Sequence, residues 1–276
     1  MKLKLKILTA LIKTLTITAC LIFQIASFAI ADETSSQDTT ESNENSFCHS
    51  QFDEVLKKFS SDGKVDYKGL TRDRSDLDEY ITSLSAVSFK KFNVWSEHEQ
   101  IAYLINYYNA ATIQLIIDNY PVKSIKDLGG FFSSPWKKEF INLFGAKESL
   151  GHIEHEILRK QYKEPRVHFA LVCASIGCPT LREEAYTGEQ LVAQLKDQAL
   201  KFLSDPDKNY WDPKSKTLYL SPIFKWFAED FEKQSGVVWA FIYPYFPKED
   251  RKSIQALTNG KPKIRYTNYD WNLNKK

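Results

Sequence analysis

The segment Arg166-Val167-His168-Phe169-Ala170-Leu171-Val172-Cys173-Ala174-Ser175-Ile176-Gly177-Cys178-Pro179 gathers an imidazole, two thiols and a hydroxyl into one short stretch. Its apolar run, Val167 and Phe169 to Val172, predicts a buried strand over Arg166 to Cys173, and Gly177, Pro179 and Thr180 then force a loop. Reactive groups are commonly displayed where a regular element gives way to a loop. Two thiols at such a place have three chemistries open to them. Cys173 can be the nucleophile of a hydrolase or transferase, its pKa lowered by a histidine that an Asn or an acid orients. Cys173 and Cys178 can instead form a structural disulfide, closing a small loop that Gly177 can bend, and a strained disulfide can also be redox-active. Or both can be buried and inert.

Chain order limits the first chemistry. All five histidines, His49, His98, His152, His155 and His168, precede Cys173, so the Cys-then-His order of papain-like enzymes is excluded for an unpermuted fold. On one extended strand His168 and Cys173 face opposite sides and stand roughly 16 Å apart. His155, delivered by the preceding helix, is therefore the expected partner, with Glu154, Asn106, Asn109 or Asp270 as orienting groups. Ser175 has no histidine downstream, as a serine nucleophile elbow in its usual chain order needs, and reads as a loop hydroxyl. Asn106 and Asn109, three apart, share one side of a long helix, where buried amides brace loops or meet substrate. Arg159 joins Glu154 and His155 in a charge network or a pocket lining; with Ser175 and Asp270 it completes the candidate binding groups. His152, His155 and Glu156 have no His-Glu-x-x-His or Cys-x-x-Cys pattern around them, so no metal site and no cofactor is expected.

The elements that must position these residues are mostly helical. Phe52, Val55, Leu56 and Phe59 follow helical spacing before a turn at Asp62-Gly63. Glu97 to Asn119 carries an apolar stripe of Ile101, Leu104, Ile105, Tyr108, Leu115 and Ile116, and Pro121 forbids continuation, which makes this helix a central core element. Further helices are expected over Leu150 to Gln161 and Glu189 to Leu203, and a hairpin joins Tyr210-Trp211 to Leu218-Tyr219-Leu220. Ser221 opens another helix, with Pro222 in its first turn, Ile223, Phe224, Phe227 and Phe231 as its buried face, Trp226 in the core as well and Gly236 as its stop. There is no strand-helix-strand alternation and no internal repeat. The expected class is α+β, a mainly helical single domain with a small, largely antiparallel sheet.

Separated blocks along the chain carry a resemblance. They are Gly63-Lys64-Val65-Asp66-Tyr67, Ile105-Asn106-Tyr107-Tyr108-Asn109, Pro121-Val122-Lys123-Ser124-Ile125, Ile153-Glu154-His155, Leu158-Arg159, His168 to Pro179, and Tyr269-Asp270-Trp271-Asn272-Leu273-Asn274. On these residues the chain resembles the bacterial family called domain of unknown function 547. It departs from the family at Tyr103-Leu104, where an aromatic pair is common, and Cys48 falls outside the shared blocks. The resemblance implies no particular activity; it directs attention to His155, His168, Cys173 and Cys178. Fourteen Tyr and six Trp also suit a module of another class, one that binds cell-envelope or other carbohydrate on exposed rings while Cys173 and Cys178 are bridged for structure.

Composition sets the frame. Residues 1–31 have Lys2, Lys4, Lys6 and Lys13, then an apolar run from Leu15 to Ile30 and a small-x-small end at Ala29-Ile30-Ala31, the pattern of a signal peptide. An uncleaved membrane anchor and a lipoprotein box ending at Cys20 are the competing readings. Residues 32–46 are polar and acidic, a disordered linker, and 47–276 are expected to form one globular domain. The expected location is outside the cytoplasm, periplasmic or secreted, and membrane contact is expected only through an uncleaved leader. Removing the four leader lysines changes the net charge from +2 to −2, which lacks the basic footprint of a nucleic-acid binder. The expected ligand is a small molecule, a peptide or a glycan. Three cysteines remain after the leader, an odd count that leaves one thiol unpaired or paired with another molecule; a Cys173–Cys178 bridge fits it by leaving only Cys48 over.

Overall fold

A computed structural model describes residues 45–130, 133–257 and 261–276. The leader, 1–31, and residues 32–44 of the linker lie outside the described residues.

Residues 49–276 form one compact unit, mainly helical α+β with small sheets. Helix α1, Ser50–Phe59, buries Phe52, Val55, Leu56 and Phe59. The two-residue strands β1, Ser60–Ser61, and β2, Lys64–Val65, pair antiparallel. Their turn, Asp62-Gly63, has positive φ at both residues, 50° and 75°, the twist that two-residue hairpins favour. Short helices α2, Tyr67–Arg72, α3, Ser75–Ser85, and α4, Phe89–Phe92, lead to the long helix α5, Glu97–Ile117.

The Ser96 hydroxyl caps α5 by accepting from the Glu99 N–H at 3.2 Å, and Glu97 and Glu99 lie where the helix dipole favours acids. The expected stripe proves too narrow: Tyr103, Asn106, Tyr107, Ala110 and Ala111 are buried as well. Helices α2 and α3 and the segment around Glu154 pack against α5, as does α7, Leu191–Leu203, so it is covered nearly all round, as a helix through a core must be.

After the β3–β4 hairpin, Ile141–Leu143 and Ala146–Glu148, the helix expected over Leu150 to Gln161 forms in an unexpected winding. His152–Leu158 is a π-helix, and only then comes the short α6, Arg159–Gln161. The wider turn of a π segment is frequent at functional sites.

The strand expected over Arg166 to Cys173 does not form. Pro165–Phe169 is a 3-10 helix whose first position holds Pro165, capped by the Glu164 carboxylate, which accepts from the Arg166 N–H at 3.1 Å. A short apolar run cannot by itself distinguish a strand from a buried helical turn; the proline and the cap decide it. The opposite-face geometry inferred for His168 and Cys173 falls with the strand.

Strands β5, Tyr210–Asp212, and β6, Thr217–Leu220, make the expected hairpin. The helix after Ser221 breaks in two. α8, Ile223–Trp226, ends at Phe227, which leaves helical geometry at φ −115°, ψ 23°, and α9, Ala228–Ser235, continues to Gly236 at φ 78°. Phe224 and Phe231 are core residues as expected, and Phe227 packs against that core. Trp226 is not: it is 47% exposed. The break frees Trp226 from the buried face, and its ring lies against Tyr269 and Trp271 instead. Helices α10, Val238–Ile242, and α11, Lys248–Gln255, lead to β7, Lys263–Tyr266, which joins β6 in parallel, Leu218 opposite Ile264. The small sheets are otherwise antiparallel; this one strand-helix-strand unit went unsignalled because β7 exposes most of its residues.

A methyl added at Gly63 would sit 2.5 Å from Thr180 Cγ2, at a φ that L residues disfavour. Gly63→Ala is expected to destabilise the protein by about 1–3 kcal/mol, measured as a lower urea midpoint with an unchanged slope.

Candidate functional site

Cys173 is held by borrowed hydrogen bonds. Downstream of the 3-10 helix the backbone has no strand to pair with, and the Asn109 side chain from α5 takes that place. Its Nδ2 donates to the Ala170 carbonyl at 3.0 Å, and its Oδ1 accepts from the Val172 N–H at 2.9 Å. Asn106, one turn earlier, clamps Tyr186 in the same two-sided way, at 2.7 and 2.9 Å. Both amides are thus spent on backbone, in the bracing role; neither lines the cavity described below.

The loop from Cys173 to Cys178 is closed from the other side by the C-terminal tail. Ile176 N–H donates to the Asn272 carbonyl, Gly177 N–H to the Asp270 carbonyl and Asn274 N–H to the Ala174 carbonyl. The bend falls at Ala174, φ 58°, rather than at Gly177. Gly177 is needed for a different reason: a Cβ there would lie 2.9 Å from the Tyr269 ring and 3.0 Å from Asp270 backbone. The Asp270 carboxylate is exposed and accepts from its own neighbour Asn272, so it orients no histidine.

The Cys173 and Cys178 sulfurs lie at disulfide distance, with Cα atoms 6.3 Å apart. Cys178 is 3% exposed, whereas Cys173 is half-buried. Around the pair stand the Ser175 and Tyr269 hydroxyls. Each is 3.3 Å from Cys173 Sγ, and they are 3.3 and 3.2 Å from Cys178 Sγ. The Cys173 N–H donates to Cys178 Sγ at 3.0 Å.

A cavity of about 320 Å³ opens beside them. Its lining includes Cys173, Cys178, Glu154, His155 and His168, and its walls are Trp136, Trp226, Phe227, Tyr269 and Trp271. The fold thus brings four of the six candidate catalytic residues into one cavity, though neither histidine hydrogen-bonds a sulfur. Arg159 faces a second cavity, which shares His168 with the first.

What organises the histidines is Asp230, on α9. It accepts from Arg159 Nε at 2.5 Å and Nη2 at 3.2 Å, and from His168 Nε2 at 2.7 Å. Arg159 Nη1 is 3.1 Å from His155 Nδ1. A guanidinium can only donate, so His155 accepts at Nδ1 and, when neutral, has its proton on Nε2. His168, donating Nε2–H to a carboxylate, is left with Nδ1 as its acceptor. Phe227, at the break between α8 and α9, stacks on the His168 ring at 3.9 Å and lies under the Arg159 guanidinium at 5.1 Å.

Burial is the leading electrostatic influence. It pushes Glu154 up to about 7, against the opposing pull of the Tyr108 hydroxyl, 3.3 Å away, and of Arg159. Burial lowers His155, helped by the charge of Arg159. It also lowers His168, and Asp230 only partly opposes it. At Asp230 burial acts upward, but the bonds from His168 and Arg159 outweigh it and hold the carboxyl well below the usual range. At neutral pH the cavity therefore presents two neutral imidazoles and one carboxyl near half-ionisation.

Sequence reasoning missed Asp230, because the helix opened by Ser221 was read only for its apolar face. A signal existed: Asp230 falls three residues after Phe227 and beside Phe231, on the edge of the apolar face, where an acid needs a partner. Among the described residues no group of three or more His, Cys, Asp or Glu is arranged to hold a metal.

Residues 92–203 match the family model described as Protein of unknown function, DUF547, and this stretch is a DUF547 domain. It includes α5, Glu154, His155, His168 and both cavity cysteines, and it ends before Asp230 and Tyr269. No curated protein and no solved structure matches the chain.

Glu154 sets a pH signature. Its folded pKa, about 7, lies above the ordinary carboxyl value, so between those two pH values the native state binds the extra proton and its contribution to stability is lost as pH rises. Glu154→Gln is expected to gain stability relative to wild type as pH rises from about 4.5 to about 7, read from urea unfolding of both proteins at each pH. A difference that stays flat across this window would show that Glu154 is not buried as described.

Proposed function

We propose that the protein is an exported thiol-dependent hydrolase or acyl transferase whose nucleophile is Cys173 in its reduced form. One observation carries this reading: a half-buried sulfur, a carboxyl of pKa about 7 and two neutral imidazoles face the same cavity. The leader pattern of 1–31 and the closely placed cysteine pair support export, with 32–46 as a tether and 47–276 as the working domain.

The roles follow from the hydrogen bonds. His168 Nδ1 is the acceptor available to take the thiol proton, with Asp230 fixing its tautomer as a carboxylate does in catalytic triads. The Cys173 thiolate attacks a carbonyl carbon, forming the C–S bond and expelling the leaving group. His155, with its proton on Nε2, donates to the oxygen that gains charge. Glu154, titrating near neutrality, gives the leaving group its proton and later takes one from the water or acceptor that attacks the acyl carbon; the C–S bond then breaks and the Cys173 thiolate takes back its proton from His168. The substrate is a small molecule, a peptide or a glycan able to enter an aromatic-walled cavity; the net charge gives no support to nucleic acid as a ligand.

The reading is tested on reduced full-length protein with p-nitrophenyl acetate. An acetyl adduct on Cys173, mapped by mass spectrometry, is expected, together with p-nitrophenol release that falls at least tenfold in Cys173→Ser. Release that survives this substitution would refute it.

A second reading is favoured by a specific feature. Trp136, Trp226, Tyr269 and Trp271 form a continuous cluster with ring centroids 4.5–5.8 Å apart, and such rings serve as stacking platforms for sugars. In that reading the protein is a non-catalytic envelope-glycan or carbohydrate-binding module. It requires retention on purified peptidoglycan that survives Cys173→Ser and is lost in Trp226→Ala; no retention removes it.

A further inference from the structure

We infer that Cys173 and Cys178 form a dithiol–disulfide couple that exchanges with low-molecular-weight or protein thiols, Cys173 being the attacking and attacked sulfur and Cys178 the resolving one. This rests on the reading that Cys173 is the reactive sulfur of the cavity, and it adds a redox activity to that site.

The two sulfurs are not equivalent. Both cysteines line the cavity, but Cys173 is half-buried, so an incoming thiolate can approach it, whereas Cys178 is only 3% exposed. Attack on Cys173 Sγ makes Cys178 Sγ the leaving group, and three donors surround that atom: the Cys173 N–H at 3.0 Å, the Tyr269 hydroxyl at 3.2 Å and the Ser175 hydroxyl at 3.3 Å. Hydrogen bonds to a charged acceptor are the strong ones, and a better-stabilised leaving thiolate departs faster. The same donors favour the Cys178 thiolate when it must attack in the reverse direction.

The balance is complete in each direction. A thiolate RS⁻ attacks Cys173 Sγ; an S–S bond forms, the Cys173–Cys178 bond breaks, and its electron pair stays on Cys178. A second RS⁻ then attacks the R-bearing sulfur and releases RSSR. The disulfide has been reduced by two electrons and two thiols have been oxidised. In reverse, the Cys173 thiolate takes one half of RSSR, and Cys178 attacks Cys173 Sγ to expel the other.

The test uses full-length protein, reduced and then exposed to oxidised glutathione. Peptide mapping reads Cys20 and Cys48 separately. Cys178→Ser is expected to accumulate a glutathione adduct on Cys173 that wild type resolves to the internal disulfide within the same interval. Cys173→Ser is expected to label Cys178 at least tenfold more slowly. Tyr269→Phe, which keeps the ring, is expected to slow reduction of the wild-type bond by dithiothreitol severalfold while its urea midpoint stays close to wild type. The inference is overturned by equal labelling of both cysteines, or by a disulfide that dithiothreitol opens only at urea concentrations that unfold the protein. A protein that traps glutathione on Cys173 yet is inert to p-nitrophenyl acetate keeps the exchange activity and loses acyl transfer. Acetylation of Cys173 without selective trapping has the opposite meaning.

Discussion

Between Phe169 and Cys178 the chain crosses the interior as irregular backbone, and its buried N–H and C=O groups must be paired or each cost of the order of 1–3 kcal/mol. The partners come from three distant places. Asn109 takes Ala170 and Val172, Gln198 of α7 takes the carbonyls of Phe169 and Thr180, and the tail from Asp270 to Asn274 takes Ala174, Ile176 and Gly177. The tail is fixed in turn by Val65 and Lys123 backbone, and its Asn274 side chain bonds the Tyr67 hydroxyl at 2.7 Å and the Gly63 carbonyl at 2.9 Å. A loop that borrows partners in this way has no freedom to slide. Its cysteines sit where the remote segments put them, both at the cavity wall but with Cys173 half-buried and Cys178 almost sealed.

The same requirement explains which parts of the site could be read from sequence. The blocks Gly63 to Tyr67, Asn109, Lys123, Glu154-His155, His168 to Pro179 and Tyr269 to Asn274 are far apart in the chain, yet they converge on one loop and one cavity; Arg159 meets that cavity only through its bonds to His155 and Asp230, and Asn106 braces Tyr186 instead. Helices α1 and α7 were legible because burial repeats along them, and α5 because its long apolar sequence ends at Pro121, although its burial is nearly all round. The strand expected at Arg166 was not, since a run of five or six apolar residues contains no period and the deciding features were a proline and a capping glutamate. The break at Phe227 was invisible for a related reason: nothing in Ile223 to Phe231 interrupts helical spacing. The break is fixed by contacts that sequence cannot display, Phe227 against His168 on one side and Trp226 against the tail on the other. Asp230 was hidden by that same continuity.

Desolvation then gives the site its character. Asp230 and Arg159 form an ion pair whose charges cancel, and each makes a further bond to a histidine, so the two imidazoles are oriented without being charged. A buried pair left half-satisfied would be costly; here the surplus bonding capacity of both ions is used on rings that the cavity needs in a fixed tautomer. Phe227 completes the arrangement by filling the space beside the His168 ring and the guanidinium, which excludes water from one side of the network and strengthens the bonds within it. Glu154 lies outside this exchange. Its hydroxyl partner, Tyr108, itself accepts from Trp136 Nε1 at 3.2 Å, and that modest support leaves the carboxyl with most of its burial cost, which is why it stays protonated to so high a pH.

Ala174 shows what the fold accepts in order to keep this geometry. A left-handed alanine costs about 1–2 kcal/mol, and a glycine would avoid that. The turn it makes points the Cys173 N–H at Cys178 Sγ while the Ala174 carbonyl meets the Asn274 N–H of the tail. In a right-handed or extended conformation at residue 174 the two groups could not be directed to those partners together, and either the sulfur would lose its backbone donor or the tail would lose its acceptor. Glycine would permit the turn but would also permit the alternatives, with more chain entropy to lose on folding. The methyl group is buried and recovers part of the conformational cost through apolar contact. Residue 174 is therefore held left-handed by what lies on either side of it, and that backbone state acts together with the remote partners of the loop in placing the two sulfurs.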